Sequence, residues 1–491
     1  MAEPTELTEL RAGQQVIYAG NRVATVTEEL AAVFRPGDRV IVDPTTATLL
    51  HVPAIDYAAA TDAVGAAERA FAALSTCTDA QITDFFTRFA DNLADERRFS
   101  AIAEANTIDV ERAGERGRST TRLALTETMR IDMIAGLRAW AALRAGRGAI
   151  ERSVRHDGWD VNAVRAPLGV VGFVFEGRPN VFADAVGVVR TGNTVVFRIG
   201  SDALGTAKAI VEWALDPALV ESGLPTGTVG LVGSAAHAAG WALFSDDRLS
   251  LAIARGSGHA VAQLGAVARQ AGIPVSLHGT GGAWMIVASD ADPERLRLTV
   301  ENSLDRKVCN TLNVCCVVAD RAPELVHVFV AALRQAAQRR GAIPVLHVTD
   351  RADRLLASSD GLNGVERVGI SIDGLAEEWE WENSPEVSLH IVDSIDEGVA
   401  LCNRLSPRFI ASLISESVDA HHRFYAAIEA PFVSDGFTRW VDGQYALDAP
   451  ELGLSNWEGG RLLARGGILS GDSVYTVRYR ATVADATTRR R

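Results

Sequence analysis

The sequence has no run of about 18 apolar residues, the length that a helix needs to cross a lipid bilayer. Its start, Met1-Ala2-Glu3-Pro4, also lacks the basic beginning and apolar middle of a secretory signal. Neither a membrane-spanning nor a secreted protein is indicated. We therefore expect the chain in the cytoplasm.

Positive charge is scarce relative to negative charge. The chain carries 48 Lys and Arg against 62 Asp and Glu, which gives a formal net charge of -14. Such a surface repels polyanions, so neither nucleic acid nor an anionic membrane is expected as the main partner. Small molecules are the expected ligands.

Cysteine is also infrequent. The five residues Cys77, Cys309, Cys315, Cys316 and Cys402 are an odd number, and none forms the C-x-x-C spacing of a zinc site. The sequence therefore indicates neither a disulfide framework nor a bound metal.

The length implies several domains. A chain of 491 residues is too long for one core, so two or three domains are expected. Residues 1–57 look separate: residues 39–42 and 47–52 flank the turn Pro44-Thr45-Thr46, which predicts a hairpin, and residues 27–34 predict a short helix. The sequence assigns no function to this segment.

Alternating segments predict an α/β fold. Residues 61–147 show the 3.6-residue period of helices, and apolar strands then alternate with helices, which predicts a parallel sheet covered on both faces. A second αβ series spans residues 284–431. The predicted strands are 169–175, 194–198, 229–232, 249–254, 274–277, 284–288, 314–319 and 389–392.

Two further segments predict an arm. Residues 154–165 alternate around Asp157-Gly158, which is a hairpin signal. Residues 473–483 alternate again and read as a late strand that pairs either with this hairpin or with a neighbouring subunit. A hairpin at this position favours a homo-oligomer.

Cys309 is the candidate nucleophile. It follows Arg306 and Lys307 in a polar turn, where positive charge lowers a thiol pKa and favours the thiolate. A cysteine is often only a small buried hydrophobe, and Cys315 and Cys316 on the next strand are interpreted in that way.

Asn180 has two competing interpretations. The pair Pro179-Asn180 at a predicted helix start is typical of a helix cap. An amide at the carboxyl end of a parallel strand is equally able to donate to a developing oxyanion.

Two strand exits are candidate phosphate sites. Arg198-Ile199-Gly200-Ser201 and Arg255-Gly256-Ser257-Gly258 each follow a strand and open a helix, whose amide groups accept anions. Neither is G-x-G-x-x-G, and such exits are common as plain turns. Arg198 would also pair with a ribose 2′-phosphate, which favours NADP over NAD.

Later polar residues are weaker candidates. His278, in His278-Gly279-Thr280-Gly281-Gly282, is either structural or a proton shuttle. Glu386 precedes a predicted strand, and residues 438–443 form a polar stretch; alone these would read as solvated loops.

Taken in order, these segments resemble the γ-glutamyl phosphate reductase (glutamate-5-semialdehyde dehydrogenase) family of the aldehyde dehydrogenase superfamily. The likeness is collinear from about residue 60 to about residue 483. The matching words are Ala166-Pro167-Leu168-Gly169-Val170-Val171-Gly172, Glu176-Gly177-Arg178-Pro179-Asn180-Val181, Gly192-Asn193, Ser222-Gly223-Leu224-Pro225, Arg255-Gly256-Ser257-Gly258, Val308-Cys309-Asn310, Phe437-Thr438-Arg439 and Leu452-Gly453-Leu454-Ser455.

The resemblance implies an aldehyde dehydrogenase-like architecture with a Rossmann-like cofactor domain. Its implied domains are cofactor binding (58–150 and 168–276), catalysis (277–433), a return segment to the cofactor domain (434–470) and an oligomerisation arm (151–167 and 471–491), behind the extension 1–57.

The resemblance also implies residue roles. Cys309 would be the nucleophile, and Asn180 with the Cys309 N–H would form the oxyanion hole. The implied NADP(H) ligands are Arg198, Arg255, Gly256, Ser257, Gly258, His278, Gly279 and Glu386, and the implied substrate ligands are Arg178, Thr438 and Arg439.

The implied activity is NADPH-dependent reduction of an acyl phosphate to an aldehyde through a cysteine thioester, as in proline biosynthesis. Aldehyde-oxidising relatives activate water with a carboxylate in Glu-Leu-Gly-Gly, where this chain has His278-Gly279-Thr280-Gly281. Without that base, hydrolysis of the thioester should be slow, so the thioester persists until hydride reduces it.

The chain also departs from the family. Asp435-Gly436-Phe437-Thr438-Arg439 replaces Asn-Ala-Ser-Thr-Arg, and Phe437, Trp440 and Trp457 favour a more apolar substrate pocket. The segments before Cys309 and at 464–469 also differ, and the first 57 residues have no counterpart in the reductase family. The chemistry is therefore predicted more firmly than the substrate.

Alternative functions remain open on the same fold. These are a CoA or carrier-protein thioester reductase with residues 1–57 as a docking element, an aldehyde dehydrogenase, and a non-catalytic binding protein. For the acyl phosphate reductase, an upstream amino-acid kinase is the expected partner, and a dimer or tetramer is the expected assembly.

Overall fold

The computed structural model describes residues 6–118, 120–144, 146–175, 177–357, 364–441, 446–448, 451–458 and 468–487. These residues divide into two units. The first comprises the described parts of Met1–Leu277, Leu447–Leu454 and Ile468–Arg491, and the second those of His278–Ala446 and Ser455–Gly467. Glu176, Asp442 and Gly443, together with residues 464–467, lie outside the described residues.

The N-terminal segment of the first unit consists of two hairpins and a short helix. Leu10, Val26, Leu30 and Phe34 form a small core of its own. Because Leu50 and Val52 belong instead to the core of the first unit, the second hairpin is anchored there. The elements are β1 (Gln15–Tyr18), β2 (Arg22–Thr25), α1 (Glu28–Val33), β3 (Arg39–Asp43) and β4 (Thr48–Val52).

The helical opening segment is confirmed. Thr78 and Gln81 form a reciprocal capping box that starts the third helix, and its apolar stripe, which includes Phe85, Phe86 and Phe89, is fully buried. The helices are α2 (Ala54–Leu74), α3 (Asp79–Ala94), α4 (Glu96–Glu115) and α5 (Glu127–Ala142).

The expected hairpin is also confirmed. β5 (Ile150–His156) and β6 (Trp159–Ala166) pair in antiparallel fashion around Asp157-Gly158, where Gly158 has φ 77°. The late strand predicted at 473–483 is β21 (Thr476–Val483), which pairs with β6 from Thr476↔Ala166 to Val483↔Trp159.

A parallel sheet forms the centre of the first unit. Among the described residues its strand order is β11-β10-β7-β8-β9. α2, α9 and α10 pack on one face, and Phe182 of α6 packs against Phe197 of β8 on the other. The elements are β7 (Val170–Phe175), α6 (Val181–Ala185), β8 (Thr194–Arg198), α7 (Leu204–Ile210), α8 (Asp216–Ser222), β9 (Val229–Leu231), α9 (His237–Phe244), β10 (Leu249–Arg255), α10 (Gly258–Gln270) and β11 (Val275–His278).

A second parallel sheet forms the centre of the second unit. Among the described residues its order is β15-β14-β16-β13-β12-β17-β18. α11 and α12 cover one face, and α14 and α15 the other. The elements are β12 (Ala283–Val287), α11 (Pro293–Ser303), β13 (Leu312–Val318), α12 (Ala322–Arg339), β14 (Val345–Val348), α13 (Asp350–Ala357), β15 (Glu366–Gly369), β16 (Glu386–Val392), α14 (Ile395–Leu405), β17 (Ile410–Ile414), α15 (Val418–Ala427) and β18 (Phe432–Ser434).

The two parallel sheets with helices on both faces confirm the predicted α/β class. β19 (Glu451–Leu454) and β20 (Ile468–Ser470) pair with each other and belong to the first unit. Among the described residues, no helix combines the length and apolar character needed to span a membrane.

One helix differs from the sequence prediction. The helix expected from Pro179 is only the short α6, followed by a 3₁₀ stretch at Val186–Thr191. At Gly187 an added Cβ would lie 2.4 Å from Trp140. This close packing accounts for a glycine inside the buried 3₁₀ turn.

Candidate active site

Cys309 lies in a polar turn ahead of β13, at the amino edge of the second sheet. The turn is held by Thr311, whose Oγ1 accepts from the Val308 N–H at 2.9 Å and donates to the Arg306 carbonyl at 2.6 Å. The Cys309 side chain is half-buried. The nucleophile predicted from the sequence therefore lies in a hydrogen-bonded turn and is reachable by solvent.

The other thiols of the second unit have a different environment. Cys315, Cys316 and Cys402 are buried, and burial raises the pKa of each well above its usual range, for Cys402 to about 12. They remain protonated at neutral pH. The interpretation of Cys315 and Cys316 as small hydrophobes on a strand is confirmed.

The Gly281-Gly282 pair lies directly against Cys309. The Gly282 N–H donates to the Cys309 carbonyl at 2.8 Å. A Cβ on Gly281 would lie 2.6 Å from the Cys309 Cα and 2.6 Å from its carbonyl oxygen. Glycine is required at position 281 because any side chain would push the cysteine turn away.

Glu378 joins the glycine pair to the segment before the cysteine. Its Oε2 accepts from the Gly281 N–H at 2.8 Å, and its Oε1 binds Lys307 Nζ at 2.7 Å. Glu380 lies 3.4 Å from the same Nζ. Lys307 is therefore ion-paired, and the activation of the thiol by Arg306 and Lys307 stays a prediction.

Asn310 anchors the other side of the turn. Its amide donates to the Val441 carbonyl and accepts from Arg439. Thr438 is fully buried and donates to the Asn310 carbonyl at 2.7 Å, and Arg439 Nε binds Asp305 at 2.7 Å. Two of the three predicted substrate ligands, Thr438 and Arg439, therefore hold the cysteine turn, and their contact with substrate stays a prediction.

His278 and Glu386 also belong to the second unit. His278 is buried, with its ring 4.5 Å from that of Phe409. Glu386 begins β16, and its Oε2 lies 3.1 Å from His347 Nε2, whose ring stacks on Trp379 at 3.5 Å. Their cofactor roles, and that of Gly279, stay predictions.

The first unit contains the second group of predicted residues, which line a groove of about 380 Å³ between α9 and α10. Arg198, at the end of β8, is buried, and its Nη2 donates to the carbonyls of Ala235 and Ala236 at 3.2 and 3.1 Å. Its Nε is buried without a hydrogen-bond partner in the described structure. Burial lowers the pKa of Arg198 below its usual value.

The opposite wall of this groove begins with the predicted loop Arg255-Gly256-Ser257. Ser257 is the N-cap of α10, which begins at Gly258, and its hydroxyl makes no capping hydrogen bond. The first amide groups of α10 therefore face no capping side chain, which suits an anion. A buried cation without a full set of partners and an uncapped helix start fit a dinucleotide phosphate.

Asn180 does not cap a helix. It lies in the turn between β7 and α6 with Arg178, has helical dihedral angles, and makes no side-chain capping bond. Its Oδ1 is buried and has no partner among the described residues. The cap interpretation is therefore wrong, and the amide stays a candidate oxyanion donor in the first unit.

Asp184 lies one turn beyond Asn180. We expect its carboxyl group to make the free energy of unfolding depend on pH. Loss of hydration raises its pKa to about 7 from an ordinary 3.8, against the opposing effect of Arg255. Between these values the folded chain keeps a proton that the unfolded chain has lost, so this stabilisation is present below pH ~4 and is lost as the pH rises through ~7.

The Asp184→Asn variant tests this expectation by urea unfolding at pH 5 and pH 8. We expect the wild type to lose more free energy of unfolding over this interval than the variant, by about 1 kcal/mol or more, because one unit of pKa corresponds to ~1.4 kcal/mol. Equal losses in both proteins would contradict the assignment.

Several residues at the cysteine turn were missed by sequence reasoning. Glu378 and Asn456 are distant from Cys309 in sequence, and Asn456 Nδ2 donates to the carbonyls of Thr280 and Pro407 at 2.9 and 2.8 Å. The chain offers no local motif for either residue. Among the described residues, no His, Cys, Asp or Glu cluster suits a metal ion.

The first parallel-sheet unit has a basic groove at its strand ends, and the second has a solvent-accessible thiol. These are the parts of a cofactor-dependent oxidoreductase. The family described as "Aldehyde dehydrogenase family" matches residues 37–344, more than half of the 491-residue chain. The chain belongs to the aldehyde dehydrogenase family. The match begins at residue 37, so within this wider family the β3–β4 hairpin has a counterpart.

Individual relatives confirm the more specific resemblance. A γ-glutamyl phosphate reductase of Syntrophomonas wolfei is 29% identical over 403 residues, which cover 80% of this chain and 90% of that protein. The crystal structure of γ-glutamyl phosphate reductase from Thermotoga maritima superposes with a TM-score of 0.77 at 25% identity, over 88% of this chain and 99% of that one.

A more distant relative shares the fold. The Rhodopseudomonas palustris propionaldehyde dehydrogenase with bound propionyl-CoA has a TM-score of 0.58 and 15% identity, over 86% of this chain and 93% of that one. At this identity the likeness concerns architecture alone.

Proposed function

We propose that the chain is an NADPH-dependent reductase that converts an acyl phosphate, γ-glutamyl phosphate or a close analogue, into an aldehyde through a thioester on Cys309. The observation that carries the proposal is the half-buried thiol in a turn fixed by Thr311 on one side and by Gly281-Gly282 on the other. A nucleophile held in one position loses little freedom on attack.

The chemistry proceeds in two stages on the sulfur. The Cys309 thiolate attacks the acyl carbon, the carbon–oxygen bond to phosphate breaks, and inorganic phosphate leaves with its electron pair. When bound, NADPH supplies the hydride that reduces the resulting thioester. Collapse of the hemithioacetal then releases the aldehyde and regenerates the thiolate.

The surroundings of the thiol favour reduction over hydrolysis. Hydrolysis needs a carboxylate that activates water. Glu378 is the carboxylate bonded to the Gly281 N–H, but its other oxygen binds Lys307, so both oxygens are already used. A carboxylate engaged in this way is poorly placed as a general base, which supports the reductive direction.

The groove residues are the proposed cofactor ligands. Arg198 would hold the 2′-phosphate, and the Arg255-Gly256-Ser257-Gly258 loop would receive the pyrophosphate at the start of α10. The groove volume and the buried Arg198 Nε support this assignment. His278, Gly279 and Glu386 stay in the proposal as further cofactor ligands on the strength of the family resemblance.

Asn180 is the proposed oxyanion donor, together with the Cys309 N–H. Its side chain makes no capping hydrogen bond, so the amide is available to donate to a developing negative charge. Arg178, Thr438 and Arg439 are proposed to border the substrate. The polar network around Thr438 supports a fixed rather than an adaptable wall.

The substrate assignment is tested in the reverse direction, which avoids the labile acyl phosphate. Purified protein is given γ-glutamic semialdehyde and NADP⁺, and NADPH formation is followed with and without phosphate or arsenate. Formation that depends on either anion is expected, because phosphate must attack the thioester to complete the cycle. Formation that requires CoA instead would select the thioester reductase.

Other outcomes separate the remaining alternatives. NADPH formation without any added acceptor would indicate a hydrolytic aldehyde dehydrogenase. No turnover under any condition, with NADPH still bound, would favour the non-catalytic binding protein. The cytoplasmic location, the arm-mediated homo-oligomer and the upstream amino-acid kinase are proposed together with the reductase activity.

A further inference from the structure

Asp56 is the third residue of α2, directly after the N-terminal segment, and it is buried. Its exposed fraction is 8%. A carboxylate so placed needs hydrogen-bond donors, and its Oδ1 accepts from the Ser234 hydroxyl at 2.6 Å. Asp56 is therefore bonded to the loop between β9 and α9.

The same loop holds Arg198. Ser234 Oγ accepts from the Ala236 N–H at 3.1 Å. The carbonyls of Ala235 and Ala236 in turn accept from Arg198 Nη2 at 3.2 and 3.1 Å. A continuous path of hydrogen bonds thus leads from the Asp56 carboxylate through Ser234 to the Arg198 guanidinium.

The charge of Asp56 also acts on Arg198, in addition to this path of hydrogen bonds. Arg198 is 5% exposed, and its buried Nε has no partner among the described residues. Asp56 stabilises the charged form of Arg198 against the cost of burial. The carboxylate therefore both orients and partly compensates the buried cation.

The N-terminal segment also reaches the opposite wall of the groove. Asp43 is 1% exposed, and its Oδ2 accepts from Gln263, a groove-lining residue of α10, at 3.2 Å. Gln270 of the same helix donates to the Val42 carbonyl at 2.9 Å. The N-terminal segment is thus bonded to α10, and the start of α2 to the loop that holds Arg198.

We propose that Asp56 is a positioning residue for the cofactor: through Ser234 and the loop 234–236 it holds Arg198 in the orientation that binds the ribose 2′-phosphate. This inference rests on the proposed use of NADP(H). It gives the start of α2 a function in cofactor selection, which the sequence alone did not indicate.

Direct binding of NADPH and NADH to the full chain, measured by titration calorimetry, tests the proposal without turnover. In Asp56→Ala and in Ser234→Ala we expect the Kd for NADPH to rise about tenfold, because the path to Arg198 is broken. The Kd for NADH should change less than twofold, since NADH lacks the 2′-phosphate. Asp56→Asn keeps an acceptor for Ser234 and should recover most of the NADPH affinity.

Asp62→Ala is the matched control. Asp62 is an exposed acid on the same helix α2, so its removal changes the charge equally without touching Ser234, and neither Kd should move. Should Asp56→Ala prove unfolded by circular dichroism, Ser234→Ala alone decides, because it removes only a hydroxyl.

The outcomes distinguish this inference from the proposed function. Equal weakening of NADPH and NADH, or no change in either, overturns the role of Asp56 while leaving the reductase proposal intact. A wild-type chain that does not prefer NADPH over NADH overturns both the NADP assignment and this inference.

Discussion

Replacing Cys309 with serine is expected to lower kcat/KM for reduction of the acyl phosphate by at least about 10³-fold, because a neutral hydroxyl replaces the sulfur nucleophile of the thioester route. Such a loss corresponds to about 4 kcal/mol of transition-state stabilisation. The measurement is NADPH oxidation by purified wild type and variant at matched protein concentration. The Kd for NADPH should stay within twofold, since the groove residues belong to the first unit.

Cys77→Ser supplies the matched control. Cys77 is also half-buried, but it follows α2 in the first unit, where its thiol donates to the Ala73 carbonyl at 3.9 Å. Its replacement should leave kcat/KM within twofold. If Cys309→Ser retained activity close to wild type, or if both serine variants lost activity alike, the thioester mechanism would be untenable.

Replacing Glu378 with alanine is expected to reduce the free energy of unfolding of the second unit by about 3 kcal/mol. Lys307 is only 5% exposed at its side chain, and removal of its 2.7 Å partner leaves a largely buried ammonium group without its main counter-charge. The Gly281 N–H loses its acceptor at the same time. Urea unfolding followed by tryptophan fluorescence measures the change.

The reactivity of Cys309 gives a second, local measurement for the Glu378→Ala variant. Because Gly281 packs on Cys309, loosening of the glycine pair should also change the rate at which iodoacetamide alkylates Cys309 under native conditions. Glu380→Ala is the control: Glu380 lies 3.4 Å from the same Nζ but is 70% exposed, so it should cost less than about 1 kcal/mol. Equal destabilisation by the two variants would contradict the proposed role of Glu378.

Much of the fold was predictable from local patterns. The parallel strands of the first sheet and the arm hairpin were placed within a few residues, because their apolar runs are buried on both faces or alternate cleanly. β15 was missed because all four of its residues are exposed and carry no apolar pattern. It is a strand only through its pairing with β14. β14, β17 and β18 were also missed, because strands of three to five residues give little periodicity. The equally short β8, β9 and β11 were identified by their place in the regular alternation of strands and helices.

The candidate site was predictable in part. The polar turn, the contrast with Cys315 and Cys316, and the groove residues Arg198 and Arg255 follow from residue type and from position at strand ends. The ion pair of Lys307 was not predictable because its partner, Glu378, is remote in sequence. The cap interpretation of Asn180 was wrong because the turn after β7 places it in a helical conformation rather than an extended one.

The sequence by itself determined the α/β class, the candidate nucleophile and the strand exits that line the groove, because these depend on periodicity and on the chemistry of single residues. Only the tertiary structure decided which charges are balanced, which amide is unpartnered and which glycine is sterically required. These properties depend on contacts between residues that are remote in sequence, such as Gly281 with Glu378, 97 positions apart, and Asp56 with Ser234, 178 positions apart. No local pattern encodes such a distance, because it is fixed by the packing of whole sheets and helices.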